Sequence, residues 1–226
     1  MHAAAKGGCA GLAADDQVIM KQVLVWDFPV RVFHWLLVIC FAGAWITGDT
    51  EKLKLWHLAF GYTAGALIVF RILWGLVGTR YARFSSFVTS PRTALRHGWE
   101  LIRGTQKHHL GHNPLGGWMM LSLMACVVLL VASGYVLYQE WMEEDDLHEG
   151  LANVAITLVF FHVVAAIIMS RVEKDNLIKS MWTGYKSTNT ETPSVRPWLG
   201  VAAMLLVVAI YFFIEIIRGN FPALTQ

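Results

Sequence analysis

An all-α integral membrane protein is what this sequence of 226 residues predicts, on three observations. Hydrophobic residues make up 56% of the chain and charged residues only 15%, outside the usual range of soluble domains. Five stretches are each apolar over about the 20 residues that a helix needs to cross a bilayer. The connections between those stretches differ sharply in charge, which gives the chain an expected orientation.

Taken in order, residues 1–22 open MHAAAKGGCAGLAADDQ, lack the apolar run of a signal peptide and read as a flexible tail. The spans follow at 29–47, 56–77, 116–138, 148–169 and 198–217. The first carries Arg31 near its start and the second carries Arg71, yet both stay rich in Leu, Ile, Phe and Trp. Asn113-Pro114 and Arg196-Pro197 put prolines at helix entrances, where a missing N–H costs nothing. Between the second and third spans, Ser90-Pro91 opens a stretch to Gly104 with Leu95, Trp99 and Ile102 along one face. That pattern predicts a short helix lying on the membrane surface.

The connection 79–115 holds Arg80, Arg83, Arg92, Arg96, Arg103 and Lys107 against a lone Glu100. The connection 139–149 holds Glu140, Glu143, Glu144, Asp145, Asp146 and Glu149 with no base, and 170–197 is mildly basic. The positive-inside rule then puts the N-terminus on the cytoplasmic side and the C-terminus outside, as expected for a multi-pass membrane protein. The net charge of +2 says little by itself beside that distribution, and no nucleic-acid partner is expected. Cys9, Cys40 and Cys126 are far apart and no Cys-x-x-Cys-His occurs, which excludes covalent haem c attachment and argues against a disulfide framework.

Four histidines, His34, His57, His148 and His162, sit inside or at the edges of the spans. Imidazole is costly in hydrocarbon, so four of them need a common reason. His148 and His162 lie on one segment; fourteen residues are nearly four turns, so they share a face about 21 Å apart. With the orientation above, depth pairs His34 with His162 near the inner surface and His57 with His148 near the outer one. Two imidazoles gripping one metal from opposite sides suit a haem iron, and two stacked haems would make an electron path across the bilayer. The plainer reading is that a histidine in a span is a satisfied polar group between helices, and that His148 is simply solvated beside its acidic loop.

Other residues keep two readings open. Gly61 and Gly65 follow His57 at one and two turns and flatten that face, giving either room for a porphyrin or close helix packing; Gly43, Ala44 and Gly134 could do the same. Arg71 needs an anionic partner such as a haem propionate, or else reaches the inner surface; Arg31 has the same choice. His2, His97, His108, His109 and His112 are expected at the surface. Glu215 and Arg218 are placed to pair with each other or to touch a partner.

The run Val25-Trp26-Asp27-Phe28-Pro29-Val30-Arg31-Val32-Phe33-His34-Trp35 resembles the opening of the bacterial cytochrome b561 and nickel–iron hydrogenase b-type cytochrome subunit family. Arg71-Ile72-Leu73-Trp74-Gly75-Leu76-Val77-Gly78 with Arg83-Phe84 is similar to that family's second-helix exit. His112-Asn113-Pro114-Leu115-Gly116-Gly117 resembles its third-helix entry, and Met181-Trp182-Thr183-Gly184-Tyr185-Lys186 its ending after helix four. The match runs over about 23–186. The resemblance implies a four-helix haem-binding bundle over those residues, with two b-type haems whose ligand positions fall on His34, His57, His148 and His162. A linker and a fifth transmembrane helix over 187–226 depart from the minimal four-helix members. It further implies an electron-transfer subunit of a quinone-linked oxidoreductase, exchanging electrons between membrane quinone and a periplasmic redox protein, either a hydrogenase-like enzyme or a c-type cytochrome. The quinone would sit beside the inner haem, though no residue is assigned to it.

Two further classes compete. His108-His109-x-x-His112 looks like a box of a membrane di-iron oxidoreductase, but such sites need several boxes and nearby carboxylates. A transporter or non-redox membrane anchor is the other, and the inverted repeats or broken helices that would favour transport are not evident. The acidic cluster at 140–149 either steers a basic partner or is a solvated loop.

Overall fold

The computed structural model describes residues 21–105, 109–141, 145–189 and 191–220. The tail up to residue 20, His108, Glu143, Glu144 and residues 221–226 therefore lie outside the described residues. Five helices are long and apolar enough to span a membrane: α1 (Phe28–Thr47), α2 (Lys54–Val77), α4 (Pro114–Tyr138), α5 (Asp146–Val172) and α7 (Leu199–Ile217). Two shorter helices, α3 (Pro91–Ile102) and α6 (Leu177–Thr183), and two strands, β1 (Lys21–Leu24) and β2 (Tyr185–Thr188), complete the fold.

Local chemistry sets the helix starts. The Asp27 carboxylate caps α1 by accepting the Val30 N–H at 2.8 Å, with Pro29 in the first turn. Ser90 caps α3 and Asn113 caps α4 in the same way, each followed by a proline. α3 is the expected surface helix: Leu95, Trp99 and Ile102 remain exposed along it while Ala94 and His97 are buried. Trp198, just after Pro197, takes a left-handed backbone (φ 51°) and turns the chain into α7 one residue later than the sequence predicts.

α1 packs chiefly on α2, α2 on α4, and α4 on α5, while α7 lies against both α1 and α2. The shared core takes Phe33 and Cys40 from α1, Ala64, Leu67 and Ile68 from α2, Met124 and Val127 from α4, and Leu205 and Ala209 from α7. Lipid is as apolar as these side chains, so shape and close approach hold the bundle together rather than exclusion of water. α5 is the least enclosed span, with Ala155 its one buried residue, and its main neighbours are α4 and α6.

After α6 the chain pairs back onto its own start. Gly184 ends α6 in the left-handed region (φ 89°), which favours glycine. Its carbonyl accepts the N–H groups of Val25 and Trp26 at 2.9 and 3.0 Å. β2 then pairs antiparallel with β1, Lys21 opposite Thr188 and Leu24 opposite Tyr185. The chain returns along β1, where Val195 N–H meets the Leu24 carbonyl, and Phe28 N–H meets the Pro197 carbonyl. The entrances of α1 and α7 and the exit of α6 are thus tied into one knot.

Candidate functional site

α5 is a continuous helix from 146 to 172, so His148 and His162 stand on one rod as the 14-residue spacing requires. His57 lies in the first turn of α2 and His34 in the second turn of α1. Because the helices run antiparallel, His57 and His148 share the end that carries the acidic connection. His34 and His162 belong to the end that carries the basic connection.

At the acidic end the rings of His57 and His148 lie 6.0 Å apart, centroid to centroid, at 74°. Imidazole nitrogens bind metals at about 2.0 Å, so two rings on opposite sides of one ion have centroids about 6 Å apart. The second nitrogen of each ring is already committed. His57 Nδ1 donates to the Ala44 carbonyl at 2.9 Å. His148 Nδ1 lies 2.8 Å from Ser133 Oγ, and Ser133 gives its own proton to the Leu130 carbonyl at 3.1 Å. The serine oxygen must therefore accept, and His148 Nδ1 must donate. Both rings then carry their lone pair on Nε2, the state in which a histidine ligates a metal.

The glycines divide between the two readings left open by the sequence. A side chain at Gly61 would meet nothing within 4 Å, which leaves room one turn beyond His57. At Gly65 it would meet Val131 at 3.1 Å, so that glycine serves helix packing. At Gly43 it would strike the Phe60 ring at 2.5 Å, and at Gly134 it would press on His148 at 3.2 Å. Gly61 thus gives space, Gly43 and Gly65 give contact, and Gly134 lets the His148 ring lie close to α4.

The basic end is built differently. His34 stands on α1 at this end, as His162 does on α5. The His34 ring stands edge-on to Trp35 (5.1 Å), which in turn meets Trp182 of α6 (4.7 Å). Several enclosed donors here have no protein partner: His34 Nδ1, Trp35 Nε1, Arg31 Nε and Arg71 Nη1. Arg71 does not reach the surface, being 2% exposed. Its other terminal nitrogen donates to the Ala82 carbonyl at 3.0 Å, and its guanidinium lies over the Phe84 ring. Arg31 donates to the Trp182 carbonyl and covers Phe28. An enclosed cation with an unused N–H calls for an anion, and the carboxylates of a haem are of the right kind.

The expectation that His97 and His112 are surface residues is overturned. His97 is buried on the inward face of α3, its ring against His109 at 5.3 Å. His112 is held between Trp26 and Phe87, each 4.8 Å away, with Nδ1 enclosed. Enclosure pushes its pKa down to about 3, and the charges of Arg71, His162, Lys186 and His34 add to the effect. His112 is thus a third, neutral histidine beside the basic-end pair. Its loop context hid it, because nothing local in the sequence says that Trp26 folds back over it. The same is true of the buried pair Lys186–Glu173 (3.3 Å), whose lysine also donates to the His109 carbonyl. Among the described residues no three His, Cys, Asp or Glu side chains gather as a metal site. His109 and His112 turn to different neighbours, His97 for one and Trp26 and Phe87 for the other.

Asp27 explains much of the opening motif. It is fully buried, and besides capping α1 it accepts the Trp74 indole N–H (3.0 Å) and the Thr79 hydroxyl (2.6 Å). One carboxylate thus fixes the start of the helix bearing His34 against the end of the helix bearing His57.

The sequence model of prokaryotic cytochrome b561 matches residues 25–184. Similar curated proteins are probable Ni/Fe-hydrogenase B-type cytochrome subunits. That of hydrogenase 1 from Escherichia coli K12 is 24% identical, covering 76% of this chain and 93% of its own length. The subunit from Azotobacter vinelandii is 23% identical, over 79% and 95%. That from Rhizobium leguminosarum bv. viciae is 25% identical, over 76% and 94%. No solved structure matches the chain.

Proposed function

Because the chain belongs to the prokaryotic cytochrome b561 family, we propose that it is a dihaem cytochrome b passing electrons between the quinone pool and a redox protein outside a bacterial inner membrane. Membership carries the coarser part, a multi-pass membrane cytochrome with haem b and an electron-transfer role. The finer part rests on the histidines. His57 and His148 hold one haem and His34 and His162 the other. The observation that carries this reading is the acidic-end pair, 6.0 Å apart with both Nδ1 atoms occupied.

Bound haem iron takes up and releases one electron at a time, and the protein supplies position and field. Ala44 and Ser133 hold the two outer imidazoles with Nε2 ready to bind. Gly61 leaves space beside His57, while Arg71 and Arg31 offer N–H groups to carboxylates at the inner level. The 14-residue spacing on α5 sets the two histidine levels about 21 Å apart along the helix axis. Inside and outside follow from the charge of the connections. On that orientation quinone exchanges electrons at the inner level, near His112, and the acidic connection faces the outer partner. The relatives named as hydrogenase subunits favour a hydrogenase-like enzyme as that partner.

The test is the visible spectrum of the purified chain with a haem count, followed by mixing with a quinol. The expected result is sharp reduced bands of six-coordinate haem b, two haems per chain, and reduction by quinol. A colourless preparation would end the reading; one haem per chain would end the two-level version; haem unresponsive to any quinol would end the quinone link.

A further inference from the structure

We infer that Phe213 of the fifth helix is a positioning residue for the outer histidine pair, so that α7 is part of the haem-binding device rather than an added anchor. The inference rests on the haem assignment above and concerns how one of its ligands is held.

α7 lies along the side of α1 and α2, from Trp198 against Trp74 (5.8 Å) at one end to Phe213 at the other. There the Phe213 ring meets Phe60 at 4.9 Å and Trp56 at 5.9 Å. Those two residues flank His57 on α2, one position before it and three after. Phe60 is pressed from behind by Phe213 and in front fills the notch at Gly43 of α1, where a Cβ would come within 2.5 Å of it. The next residue of α1 is Ala44, whose carbonyl takes the His57 Nδ1 proton at 2.9 Å. The contacts therefore run in an unbroken series: Phe213 seats Phe60, Phe60 sets the approach of α1 to α2, and that approach places the Ala44 carbonyl under His57.

Removing the Phe213 ring frees Phe60 to leave the Gly43 notch, and the Ala44–His57 bond loses its fixed geometry. A histidine whose Nδ1 partner is lost binds its metal more weakly, by about 10–100-fold in well-studied metal sites. His34 and His162 lie outside this series, so the effect falls on one haem only. General loosening of the bundle would touch both.

The test uses the full chain in detergent. The outer haem's ferric low-spin electron paramagnetic resonance signal is identified as the one missing from His148→Ala. Phe213→Ala is expected to shift that signal, leave the other unchanged, and speed transfer of one haem to apomyoglobin about tenfold. Phe213→Tyr, which keeps the ring, restores both readouts. Gly43→Ala, which displaces Phe60 from the opposite side, reproduces the defect, and Val207→Ala on the outward face of α7 does not. Equal change at both haems, no change at either, or failure of Phe213→Tyr to restore would overturn the inference. A wild-type chain without paired-imidazole haem would instead remove the assignment on which it stands.

Discussion

The two histidine pairs are built on opposite plans. At the acidic end every Nδ1 proton has a protein acceptor: the Ala44 carbonyl for His57 and the Ser133 oxygen for His148. At the basic end His34 Nδ1, Trp35 Nε1, Arg31 Nε and Arg71 Nη1 are enclosed without one. An enclosed donor left unpaired costs about 1–3 kcal/mol, more if charged. The two acidic-end rings have their Nδ1 bonds made within the protein, whereas the basic end keeps enclosed N–H groups free. On the function proposed above, the first is organised by the protein alone and the second would be completed by the carboxylates of a haem.

That contrast can be broken most directly at the ligands. His57→Ala and His148→Ala are each expected to lose the same haem, and His34→Ala and His162→Ala the other, so each variant keeps about half the pigment by haem extraction assay. If His57→Ala and His148→Ala lost different haems, the pairing by depth would be wrong. Ser133→Ala is the next largest. It removes the acceptor of His148 and is expected to weaken the outer haem by about 10–100-fold, read as pigment lost on dilution. An unchanged affinity would mean that the Ser133 hydrogen bond does not hold the His148 ring for its metal.

Arg71→Leu sharpens the other side. Removing a buried cation beside the inner pair favours the ferric state, and its reduction potential is expected to fall by about 60 mV, equivalent to tenfold in equilibrium constant. The outer potential stays in place, and a redox titration separates the two. The smallest effect concerns His112, whose enclosure lowers its pKa from the usual 6.5 of a histidine to about 3. Between those values the unfolded chain binds a proton that the folded one refuses, so this histidine makes stability rise with pH. His112→Gln is therefore expected to flatten the loss of melting temperature on acidification from about pH 6.5 toward 3. An unaltered slope would mean that His112 protonates freely in the fold.

The buried pair Lys186–Glu173 belongs to the same basic end and shows how it is closed. Taking two charges out of water is costly, and such a pair is poor proof of stability. Here it fixes β2, and through β1 the entrance to α1, over the third histidine.

Sequence alone determined the five spans, the surface helix α3 and the two-level placement of His34, His57, His148 and His162. These follow from local quantities: an apolar run of fixed length, a proline beside a capping side chain, and a spacing counted in helical turns. It left Gly61 and Gly65 equivalent, and Arg71 divided between surface and interior. Only packing separated them, since Val131 approaches one glycine and nothing approaches the other, and Phe84 lies over the guanidinium. His97 and His112, the Lys186–Glu173 pair, the strands β1 and β2 and the Phe213–Phe60–Gly43 series were likewise decided by tertiary structure. Each joins residues far apart in the chain, and no periodicity within one segment carries the position of a partner on another.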